Sequence, residues 1–76
     1  MKLPVVKPRK AIAALLEAGF YIHHKTGSHI VLKREKDNRR VVVPYHVRDM
    51  HKGTLRNIIS QAGLRVDEFI QLLKQN

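Results

Sequence analysis

The sequence predicts an α+β domain: three short antiparallel strands form a meander, and helices from both ends of the chain cover one of its faces, in the order α-β-β-β-α-α. Three observations carry this. Apolar residues recur at helical spacing near the start of the chain and again over its last third. Between them lie three short runs of strand character separated by turn residues. The 76 residues allow one domain with a small core, since a chain of this size buries only about 60–65% of the surface its unfolded form exposes. Deep pockets and enclosed cofactor sites are not expected.

Each element has its local reason. Pro8 suits the first turn of a helix, where its missing N–H is no loss. Ile12, Leu15 and Leu16 follow at i, i+3, i+4, and Gly19 stands where a left-handed cap belongs, so the first helix covers 9–18. Residues 20–25 read as a strand with Phe20 and Ile22 on one face. As neighbours on that strand, His23 and His24 are expected on opposite faces, unable to chelate together. Thr26-Gly27-Ser28 is turn chemistry, because glycine supplies positive φ cheaply. A second strand covers 29–34, with Ile30 and Leu32 on one face and His29, Val31 and Lys33 on the other. Asp37-Asn38 marks the next turn, and a third strand over 40–43 ends at Pro44.

Residues 45–53 form a polar loop bearing His46 and His51. Gly53-Thr54 can cap a helix with apolar positions Leu55, Ile58, Ile59 and Ala62, and Gly63 ends it. A last helix repeats the period with Val66, Phe69, Ile70 and Leu73, and Asp67 and Glu68 suit the positive end of its dipole. The helices bury one sheet face. The other stays open, as a flat basic surface should if it meets a nucleic acid.

Charge placement narrows the function. The net charge is +9, and residues 1–56 carry thirteen Lys and Arg against four acidic residues, whereas 57–76 are balanced. Such a field attracts polyanions, of which nucleic acid is the commonest soluble one. There is no cysteine, which excludes disulfides and thiolate metal sites and is compatible with a reducing compartment. The longest apolar run, 11–16, is far short of the roughly 20 residues that span a bilayer. No signal-peptide pattern opens the chain. A cytoplasmic protein that does not engage a membrane is expected.

The blocks "LLEAGFYIHHKTGSHIVLKR", "VVVPYH" and "KGTLRNIISQAGLRVDEFIQLL" resemble the HicA family of toxins, small mRNA interferases also called YcfA-like. The specific parts are Gly27-Ser28-His29, Pro44 with His46, and Gly53-Thr54-Leu55-Arg56 followed by Gln61-Ala62-Gly63. The resemblance runs from about residue 10 to residue 73, in the family's order. It implies a double-stranded-RNA-binding-like fold, metal-independent cleavage of messenger RNA, and inhibition by a cognate HicB-type antitoxin. The family's catalytic histidine lies in the G-S-H motif, so that role carries over onto His29. Many members have Pro directly before Gly-Thr-Leu where this chain has Lys52; the departure bears on how a helix starts, not on the chemistry.

The residues support such chemistry without proving it. Cleaving RNA through its 2′-hydroxyl needs a base for that proton, a donor to the leaving 5′-oxygen, and positive charge at the phosphate. An imidazole with a pKa near 6.5 is the natural acid–base group at neutral pH. Lys25, Lys33 and Arg34 surround the same hairpin and could neutralise the phosphate, helped by backbone N–H groups of the Thr26-Gly27-Ser28 turn. Lys36, Arg39 and Arg40 are either diffuse phosphate contacts or solvated charge. Arg56, on the outer side of its helix, could reach RNA or an acidic partner. His46 is a candidate for a second acid–base or RNA-contacting role, against a loop residue with no task.

Ser28 has no nearby carboxylate to make a nucleophile of it. Five histidines without cysteine are a poor zinc constellation, and no metal or other cofactor is expected. Two other readings stand: a non-catalytic RNA-binding module of the same fold, and a helix-turn-helix DNA-binding protein built on the last two helices. Against the latter, the final helix opens with Asp67-Glu68 where a recognition helix should present basic and amide groups.

Overall fold

Proline and glycine bracket the first helix as the sequence suggests. A computed structural model describes residues 3–75. In it α1 (Pro8–Glu17) starts on Pro8, and Gly19, at φ +96°, turns the chain just beyond its end. Three strands follow, β1 (Tyr21–Lys25), β2 (His29–Arg34) and β3 (Arg39–Pro44), paired antiparallel in the order β1-β2-β3. Helices α2 (Lys52–Ala62) and α3 (Val66–Lys74) complete the α-β-β-β-α-α order. This is the expected double-stranded-RNA-binding-like α+β arrangement.

Boundaries move by a residue or two. Phe20 lies ahead of β1, and Pro44 is the last residue of β3, opposite His29, where an edge strand tolerates a missing N–H. Helix α2 begins at Lys52, so Gly53 and Thr54 sit in its first turn. They do not cap it: the N-cap is His51, which makes no side-chain capping bond. Gly63 ends α2 in the left-handed conformation, φ +70°. The Glu68 carboxylate accepts the Arg65 N–H (2.8 Å) at the start of α3.

One core lies between sheet and helices. Ile30 and Leu32 of β2 and Val41 and Val43 of β3 point into it and meet Leu15 of α1, Leu55 and Ile58 of α2 and Phe69 of α3, all buried. Both C-terminal helices therefore commit an apolar face to this core, α2 against β3 and α3 against α1. Among the described residues no polar or charged side chain is buried.

Two turns depart from the expected chemistry. Gly27 does not adopt positive φ, and a Cβ there would meet nothing. The hairpin is built by Thr26 instead: its Oγ1 accepts the N–H of Ser28 (3.3 Å) and of His29 (3.0 Å), and its own N–H donates to the His29 carbonyl (2.8 Å). In the β2–β3 turn Asn38 takes the left-handed conformation, φ 56°. A two-way backbone bridge between buried Val6 and Met50 pins the loop after β3 to the segment ahead of α1.

Candidate functional site

The strand period dictates what the open sheet face carries. With Ile30 and Leu32 in the core, His29, Val31 and Lys33 of β2 face away from the helices. Cross-strand pairing adds Arg40 beside Lys33, Val42 beside Val31 and Pro44 beside His29, with Tyr21 and His24 from β1. Val31 is only 4% exposed although it lies outside the core cluster, so the face has an apolar floor at its centre with basic groups around it.

At the mouth of β2, Ser28 holds two imidazoles. Its Oγ lies 2.9 Å from Nδ1 of His29. Its carbonyl accepts the Tyr45 N–H (2.7 Å) and faces Nδ1 of His46 at 3.2 Å. The two rings stand edge to face with centroids 5.8 Å apart. His29 is half-buried and His46 exposed. Sequence reading treated them separately, one on a strand and one in a loop. The signal that joins them is register: pairing His29 with Pro44 sets the residues that follow β3 beside the Ser28–His29 turn.

A second histidine pair corrects the sequence expectation. The β1–β2 register slips between Ile22 and His24, a bulge that puts His23 and His24 on the same face. Their Nδ1 atoms are 2.8 Å apart, one donating to the other, with the rings 5.1 Å apart. Lys33 above all, then burial, His24 and Arg40, hold the His23 pKa below the ordinary histidine range. Strand alternation fails here because the extra residue resets it, and nothing local in the sequence announces the slip. Among the described residues, no three side chains of metal-ligating type converge.

The arginines expected around the phosphate divide sharply. Arg34 falls on the helix side of the sheet. Its Nε and Nη2 chelate the Asp37 carboxylate (3.0 and 2.7 Å), Nη1 donates to the Ala18 carbonyl (2.8 Å) and Nη2 also to that of Ala62 (3.2 Å). The guanidinium lies 4.6 Å over the Phe20 ring. It thus binds the C-terminal ends of both α1 and α2, where a cation complements the helix dipoles. Arg34, expected as a phosphate contact, has its donors engaged by the fold.

Arg39 pairs with Asp37 (3.3 Å) and donates to the Gln61 carbonyl (3.3 Å), again at the end of α2. It packs so close to Gly63 that a Cβ there would overlap its guanidinium. Lys33 and Arg40 remain on the open face with His29. Lys25 pairs with Ile30, which places it at the sheet edge on the helix side, and Arg56 is exposed in the helix layer. Of the turn N–H groups expected as phosphate donors, that of Thr26 donates to the His29 carbonyl and that of Ser28 to Thr26 Oγ1.

No helix among the described residues is long and apolar enough to cross a membrane. No curated protein matches the chain. A family profile does, that of the HicA toxin of bacterial toxin-antitoxin, over residues 8–64, three-quarters of the chain from the first residue of α1 to just beyond the end of α2. The chain belongs to the HicA toxin family, and with that it is the toxin half of a toxin–antitoxin pair, with an antitoxin as its partner.

Proposed function

We propose that the protein is a metal-independent endoribonuclease that cleaves messenger RNA in the cytoplasm, with His29 as an acid–base residue. One observation carries the reading: an imidazole at the mouth of the central strand, on an open sheet face that also presents Lys33 and Arg40. Phosphate oxygens settle where cations are free of carboxylates, and these two cations share the face with the imidazole. An acid–base histidine held against the scissile phosphate contributes about 10²–10⁴-fold. His24 and Tyr21, both exposed, give the face ring surface to hold a single strand without a base-specific contact, which suits weak sequence preference.

A HicB-type antitoxin inhibits the enzyme by covering this same face, since an acidic partner is attracted by the field that attracts RNA. The test is cleavage of a long single-stranded RNA in EDTA by wild type and His29→Ala side by side. Cleavage by wild type alone, with equal RNA binding by both, is the expected result. Salt-sensitive binding without cleavage by either protein makes this a passive RNA-binding module instead.

A further inference from the structure

Ser28 offers its two neighbouring imidazoles two chemically different anchors. A carbonyl oxygen only accepts, so Nδ1 of His46, at 3.2 Å from the Ser28 carbonyl, must carry the proton of that bond. In neutral His46 the lone pair is then confined to Nε2. A hydroxyl can donate or accept, so Ser28 Oγ, 2.9 Å from Nδ1 of His29, satisfies that nitrogen in either protonation state. One imidazole is thereby fixed in a proton-accepting form. The other can hold a proton on Nε2 whether neutral or charged.

Building on the ribonuclease reading, we infer that His46 is a second catalytic residue, the general base, that His29 is the general acid, and that Ser28 positions both. His46 Nε2 takes the 2′-hydroxyl proton as the 2′-oxygen forms its bond to phosphorus. The bond from phosphorus to the 5′-oxygen breaks, and that oxygen takes the proton from Nε2 of imidazolium His29. The products are a 2′,3′-cyclic phosphate and a free 5′-hydroxyl, and the step ends with His46 protonated and His29 neutral. No electrons are exchanged, and proton return through water restores the pair. Ring centroids 5.8 Å apart place both groups within reach of a single phosphodiester, given hydrogen bonds of about 2.6–3.2 Å to each oxygen.

The test compares two substrates at a bond the wild type cuts: the natural phosphodiester, and one whose 5′-bridging oxygen is replaced by sulfur, a leaving group that needs no proton. His46→Ala and His46→Asn should each lose about 10²–10⁴-fold on both substrates. His29→Ala should lose as much on the natural bond and recover most of it on the sulfur bond. Ser28→Ala keeps the carbonyl but removes the hydroxyl. It should lose about tenfold on the natural bond alone, with Ser28→Thr restoring it. Folding of each variant is followed by circular dichroism, and His46→Asn retains a side-chain donor for the Ser28 carbonyl.

The inference fails if both His46 variants cleave within threefold of wild type, or if sulfur rescues them. In either case the ribonuclease reading survives, provided His29→Ala is inactive on the natural bond. Wild type cutting neither substrate overturns that reading and the inference with it.

Discussion

The two ends of β2 look alike in sequence, basic residues beside a polar turn, and the fold uses them in opposite ways. At the far end, Arg34 and Arg39 close on Asp37 and on carbonyls at the ends of α1 and α2. With its side chain only 12% exposed, Arg34 works as a rivet between sheet and helix layer. At the near end, His29 and His46 each meet Ser28 through Nδ1, and their rings stand edge to face 5.8 Å apart. Charge count alone ranks the far end as the better anion site. The partners of each group reverse that order: a cation already bound by a carboxylate and two carbonyls has little left for a phosphate.

The largest effects should separate the ends by kind. Arg34→Ala removes charge-assisted hydrogen bonds and strips a cation from two helix ends. It should cost about 2–3 kcal/mol, lowering Tm by about 10–20 °C in a domain this small. His29→Ala should leave stability within about 0.5 kcal/mol while abolishing cleavage. Thermal unfolding of the two variants, run beside the cleavage assay, checks both. An Arg34→Ala protein as stable as wild type would break the contrast.

RNA affinity sharpens the same contrast at smaller scale. Lys33→Ala and Arg40→Ala should each reduce the slope of log affinity against log salt by about 0.7, one phosphate contact on a single strand. Arg39→Ala should leave that slope unchanged, since its guanidinium is held by Asp37 and Gln61. Anisotropy titrations of a labelled RNA across a salt series measure it.

The smallest effect is a pH dependence. Hydrogen bonds from Arg34, and then the charges of Arg34 and Arg39, hold the Asp37 pKa below the usual carboxylate range. A carboxylate depressed on folding stabilises the protein above its unfolded pKa of about 3.9, and that contribution disappears as pH falls through the folded value. Asp37→Asn should therefore be less stable than wild type at neutral pH, and the gap between their melting temperatures should close on acidification. A gap that does not change with pH would mean the carboxylate charge does not matter at this corner.

Much of this was legible in the sequence where the determining forces are local. The 3.6-residue period and the terminators Gly19 and Gly63 mark α1 and α2 to within two residues. The alternation through β2 places Ile30 and Leu32 inward and His29 and Lys33 outward. Burial of one face leaves a central strand no alternative register. The G-S-H, P-x-H and G-T-L-R blocks announce the HicA family, and the match over residues 8–64 agrees.

Tertiary structure alone decided which polar groups are free. Arg34 and Lys33 are neighbours in sequence, yet the pleat sends one under the helices and the other to the open face. His23 and His24 share a face only because a bulge adds a residue against β2. His29 and His46 meet because antiparallel pairing returns the chain to Ser28 eighteen residues later. Sequence by itself determined where the elements lie, because period, turn and cap act over a few residues. The availability of a charge or an imidazole depends on which distant carboxylate or carbonyl the fold brings within 3 Å, and only the packed chain decides that.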